Sequence, residues 1–207
     1  MRIKFQLNRS VRWARNQNLS RREMKNIRYD FSNINMCGRV CYLIMCIEKY
    51  LVTLWPERDW TVVLEHLWSW VSLEDWSVAR ELSDMVVPAF ILEKPDYEQT
   101  NAEYDGKLPK DLYDKLLDLF AGITSGDPDD EINTVIGSLG EFGNCCENTS
   151  FSGADQAVTE LLDQIIGILE QHSIALPDIE FLSDKSLNEH DGWGDPFDGK
   201  AYSIIMK

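Results

Sequence analysis

Two short stretches of this 207-residue chain place metal-type or ion-pairing donors close together: Glu189-His190-Asp191, and Asp195 followed by Asp198. Together they could coordinate a cation or pair with a basic partner. A calcium loop needs oxygen ligands at alternate positions, a central glycine and a terminal glutamate, and these residues are out of that register. A polar turn region is therefore the preferred reading, and no metal is assigned. Cys37 and Cys41 are one helical turn apart and could supply half of a zinc site. Cys46 falls off their face and no histidine follows at a known spacing, so buried, reduced thiols are expected.

Other reactive constellations are missing from the sequence. His66, His172 and His190 are the only histidines. No nucleophile elbow, paired-histidine zinc motif or phosphate-binding loop occurs. Gly137, Gly140 and Gly143 recur every three residues, but a dinucleotide fingerprint has another spacing and follows a strand. The chain is expected to bind rather than to turn over a substrate, with no catalytic residue and no cofactor. The candidate partner-binding residues are Asp127, Asp129, Asp130 and Glu131 at a helix start, with Trp193, Asp195 and Asp198 near the C-terminus. For each acid the competing role is capping or solubility. Trp193, between Gly192 and Gly194, reads equally as an interface anchor or as a plug of the core.

Charge sharpens the binding reading. Residues 1–34 carry nine Lys/Arg against Glu23 and Asp30, a net of +7, whereas residues 35–207 carry eleven against thirty-three acids, a net of −22. An acidic body suits a basic partner. The basic arm could be a nucleic-acid arm or a targeting segment. No aromatic–basic recognition pattern accompanies it, so a loosely ordered extension, with translation starting at Met24, is preferred and nucleic acid is not expected as a partner. No apolar run is long enough to span a bilayer. The odd count of five cysteines fits a reducing, cytoplasmic setting.

The elements that must position these residues are mainly helical. The spacing of Val40, Leu43, Ile44, Ile47, Leu51 and Leu54 predicts a helix over 37–55, interrupted by Pro56. Further helices are expected over 59–71, from a Ser72 cap with Trp76, Ala79, Leu82, Met85 and Val86 inside, from Pro109 to about 120, over 127–139, and over 153–172. Residues 94–108 read as a long loop and 140–152 as a flexible join. The apolar runs 179–182 and 201–206 are expected to pair as a ribbon. The predicted fold is mainly α: a basic extension over 1–34, then a single multi-helix domain over 35–207 with a small two-stranded β element at its C-terminus.

Three stretches carry a family resemblance. They are Gly38-Arg39-Val40-Cys41-Tyr42-Leu43 continuing to Pro56-Glu57-Arg58-Asp59-Trp60, then Ile174-Ala175-Leu176-Pro177-Asp178, then Gly192-Trp193-Gly194-Asp195-Pro196-Phe197-Asp198-Gly199 with Tyr202-Ser203-Ile204-Ile205. Over about residues 36–207 the chain resembles the immunity protein six family of bacterial polymorphic-toxin systems. The resemblance implies a cytoplasmic antidote that occludes a cognate toxin domain, without cofactor or turnover. The acidic body implies a basic toxin domain, for which a nuclease is one candidate. The alternatives are a helical scaffold or regulator of another partner, and a metal-dependent enzyme built around His190, Asp191, Asp195 and Asp198.

Overall fold

Helix α1 (Met36–Leu54) begins where Asn35 accepts a hydrogen bond from the Gly38 N–H at 2.8 Å. Such a cap satisfies one of the amide donors a helix start leaves unpaired. The sequence predicts one apolar stripe here, but the helix is buried nearly all round: Met36 to Ile47 are all buried, and so are Arg39 and Glu48. A helix covered on every side is a core helix, and the remaining elements pack around it. The structure is a computed structural model that describes residues 29–146 and 150–206. The chain divides into units Met1–Asp30 and Phe31–Lys207. The basic arm over residues 1–28 lies outside the described residues.

Short helices α2 (Thr61–Leu67) and α3 (Ser69–Ser72) replace the single helix expected over 59–71, and the break falls at Trp68. Trp60, Trp68 and Trp70 are each at most 1% exposed, so the break lets three indoles reach the core. Helix α4 (Trp76–Asp84) starts later than the Ser72 reading, because Asp75 accepts from the Ser77 N–H. Ser72 instead turns its hydroxyl back to the Trp68 and Ser69 carbonyls. Pro88 opens α5 (Pro88–Leu92), where its missing N–H costs nothing.

The expected loop at 94–108 contains a helix, α6 (Tyr97–Glu103). Asp96 caps it, Tyr97 reaches the Leu108 carbonyl and Tyr104 the Asp84 carbonyl. Polar bonds, not an apolar stripe, hold α6 in place. Helix α7 (Lys110–Phe120) follows, then α8 (Glu131–Cys146) and α9 (Phe151–Gln171). Most of the expected flexible join is therefore helix: α8 runs seven residues past Leu139. Helix α9 packs on α8 and α1, α4 packs on α8, and α5 packs on α7 and α8.

The C-terminal ribbon does not form among the described residues. Ile179–Leu182 and Gly199–Tyr202 are single 3-10 turns. The isolated antiparallel bridge recorded there joins Ile34 to Ser186 instead. The segment before the first run straps α1 instead: Lys49 donates to the Ala175 and Leu176 carbonyls and Tyr42 to that of Pro177. Buried Glu48 accepts from the Ser203 hydroxyl and from the Ile204 and Ile205 N–H groups at 2.7–3.0 Å. A buried carboxylate needs such donors, and these amides have no strand partner to prefer.

Candidate partner-binding surface

The candidate residues fall into two groups. At the first, Asp127, Asp129, Asp130 and Glu131 precede and open α8. Asp127 accepts from the Asp129 N–H, Asp130 from the Thr124 hydroxyl, and the Asp127 carbonyl from the Asn133 amide. Glu131 Oε1 accepts from the Tyr50 hydroxyl at 2.8 Å and meets His172 Nε2 at 2.6 Å. Tyr50 is 1% exposed, and burial together with the bond to Glu131 raises its phenol well above the usual range, so it stays a donor. Glu131 thus ties α8 to α1 and to the C-terminal end of α9.

At the second group, Trp193 is held by a constrained turn. His190, Asp191, Gly192 and Gly194 all have left-handed backbone, with φ of 47°, 53°, 91° and 82°. A side chain at Gly192 would come within 2.6 Å of the Phe151 ring, and one at Gly194 within 2.5 Å of the Asn35 side chain. Both positions therefore need glycine twice over, for conformation and for space. Non-glycine residues in this region carry strain of about 1–3 kcal/mol each. The turn is latched to the start of α1: Asn35 Nδ2 donates to Glu189 Oε2 at 2.7 Å, and the Cys37 N–H to the Trp193 carbonyl at 3.0 Å.

Trp193 is half-buried, packed on the body along part of its ring. Its ring meets Trp76 and Phe151 edge-on, each at 5.9 Å between centroids, and Trp76 continues through Phe142 to buried Trp70. Beside it opens a cavity of about 220 Å³, lined by Trp70, Trp76, Ser77, Arg80, Gly143, Cys146 and Trp193. Asp195 is exposed and pairs with His190 at 2.8 Å, while Asp198 is exposed and caps the 199–202 turn.

Phe151 and His172 mark the two groups at opposite ends of α9. Twenty-one residues of helical rise set them roughly 30 Å apart, so the structure does not bring all seven candidates together. Ser77, Arg80, Gly143 and Cys146 were not singled out for binding by the sequence. The available signal was the three-residue glycine spacing: Gly140 faces Asp84, and Gly143 faces Trp70 and Arg80, so the glycines form the face on which α4 packs.

The thiols behave as packing groups. Cys37, Cys41 and Cys46 are buried and unbridged. Burial, then the nearby Asp195 and Glu189 carboxylates, pushes Cys37 up to about 11. Among the described residues, no three His, Cys, Asp or Glu side chains are grouped to hold a metal ion, and no helix is long and apolar enough to cross a membrane. No family model, curated protein or solved structure matches this chain.

Proposed function

We propose that this chain is a cytoplasmic immunity protein that binds a basic bacterial toxin domain and blocks it by occlusion, acting stoichiometrically. The observation that carries the reading is the net charge of −22 over residues 35–207, on a body whose exposed acids include Asp129, Asp195 and Asp198. Such a field speeds encounter with a cationic surface and makes the association rate fall with salt. The half-buried Trp193 on its constrained turn supplies the aromatic anchor that a tight interface needs. The resemblance of residues 36–207 to the immunity protein six family gives the partner its class.

Co-expression with the product of the adjacent gene tests this. The expected result is a stable complex on a sizing column and relief of that product's toxicity. An adjacent product that stays fully toxic and forms no complex overturns the reading.

A further inference from the structure

We infer that the C-terminal segments held against α1 form an apolar contact surface, centred on Phe181, Ile204 and Ile205, and that its occupant is a cationic protein domain. The inference deepens the functional reading above, on which it rests for the partner's identity.

Among the described residues, four large hydrophobic side chains are exposed, and three of them are Phe181 at 61%, Ile204 at 51% and Ile205 at 39%. Half-buried Ile179, Tyr202 and Met206 belong to the same two segments. Single exposed hydrophobics are ordinary, whereas a group of them on one surface marks an interaction site.

The two segments lie together on α1. Tyr42 and Lys49 hold residues 175–177, and the 179–182 turn that carries Phe181 packs on the same helix. Glu48, next to Lys49, holds residues 203–205. A second link joins them farther along. Asp184 pairs with Lys185 at 3.1 Å, the Lys185 ammonium stands 4.2 Å from the centre of the Phe197 ring, and that ring meets Tyr202 edge-on at 5.8 Å.

Backbone bonding fixes the two isoleucines in place. Their N–H groups both donate to Glu48 Oε1, at 2.9 and 3.0 Å. Ser203 Oγ also accepts from the Ile205 and Met206 N–H groups, at 3.3 and 3.0 Å. The amides are gathered on acceptors of buried residues while the side chains stay in solvent. A surface ordered in advance loses little freedom when a partner covers it.

Charge selects the occupant. Within the two segments and their anchors, Asp178, Glu180, Asp184 and Asp198 stand against Lys49, Lys185 and Lys200. These signs nearly balance, so the contact itself is apolar. The body around it carries a net of −22 over residues 35–207. A second copy brings the same excess of acids and is repelled, whereas a cationic domain is drawn in and then held by the apolar contact.

The test uses the full chain with carbon-13 in its isoleucine δ1 methyl groups. The signals of Ile204 and Ile205, assigned from Ile204→Val and Ile205→Val, are followed at constant ionic strength during titration with an amphipathic leucine–lysine peptide. One control peptide replaces its lysines by glutamate and another its leucines by serine. Both methyl signals should move saturably with the leucine–lysine peptide and with neither control, and Phe181→Ser should weaken that response about tenfold. Phe181→Ser and Ile204→Ser should each weaken the complex with the adjacent gene product about tenfold. Val78→Ser, at the fourth exposed site, should change it less than about twofold. All three positions are exposed, so these variants keep the fold.

No saturable shift, an equal shift with either control peptide, or equal weakening of the complex by Val78→Ser would each overturn the inference. So would full partner affinity in Phe181→Ser and Ile204→Ser. A wild-type dimer dispersed by Phe181→Ser would overturn it as well, because the occupant is then a second copy. If the wild-type chain forms no complex with the adjacent gene product while the leucine–lysine peptide still saturates both methyl signals, the functional reading fails and the surface stands.

Discussion

At the start of α8 and at the start of α9, acidic residues lie beside aromatic ones, yet the two regions use them differently. At the α8 start most of the carboxylates have partners in the fold, although Asp127 and Asp129 stay exposed. Glu131 is shared by Tyr50 and His172, Asp130 by Thr124, and Asp127 by the Asp129 N–H. At the α9 start the aromatic ring is anchored and the acids stand free of the core, with Trp193 packed on Phe151 and Asp195 exposed beside it. Similar composition thus gives a clasp at one end and an aromatic-walled cavity near an exposed acid at the other. What separates them is partners: the first group meets Tyr50, His172, Thr124 and the Asp129 N–H, whereas Asp195 meets the exposed His190.

The largest expected effect is on the clasp. Glu131→Ala leaves the buried Tyr50 hydroxyl without its acceptor and should lower stability by about 2 kcal/mol in urea unfolding, with little change in partner affinity. If affinity falls and stability does not, the two regions have been assigned the wrong way round.

The second effect concerns Asp84, behind the cavity. Burial raises its carboxyl to about 6, Glu141 adds to the rise and Arg80 opposes it; the Tyr104 hydroxyl meets the Asp84 carbonyl. The folded state therefore binds the proton more tightly than the unfolded state. The charged form costs stability in full above about pH 6, and that cost disappears as the pH falls through 6 towards the unfolded value near 4. Asp84→Asn should gain about 1–2 kcal/mol at pH 7 and flatten the stability profile over that window. An unchanged slope in pH-dependent unfolding would show that Asp84 is solvated.

The smallest effect separates the two sets of exposed acids. Asp195→Asn should slow association with the basic partner a few-fold at low salt, with the difference shrinking as salt rises. Asp129→Asn, at the clasp end, should leave the rate closer to wild type. Stopped-flow rates that rank the two variants the other way would move the interface to the α8 start.

Much of the helical fold was legible because the apolar period is a local property. The stripe of Val158, Leu161, Leu162, Ile165, Ile168 and Leu169 marks α9, and each of those residues is buried. Helix α6 was not legible, because its support comes from Asp96 and from two tyrosine hydroxyls bonding distant carbonyls. The C-terminal runs looked like strands because four to six apolar residues carry too little period to decide. In the second run the Ile204 and Ile205 amides went to Glu48, a residue more than 150 positions away. The cavity was hidden for the same reason: its walls come from α3, α4, α8 and the Trp193 turn.

The sequence by itself determined the acidic body, the mainly helical class and the glycines that Trp193 requires, since charge, helical period and backbone freedom belong to residues and their near neighbours. Only the tertiary structure decided which acids are occupied, where the straps run and which indoles share a cavity. Those depend on groups far apart in the chain meeting at hydrogen-bond distance, and one helix, α9, is long enough to keep the clasp and the cavity apart.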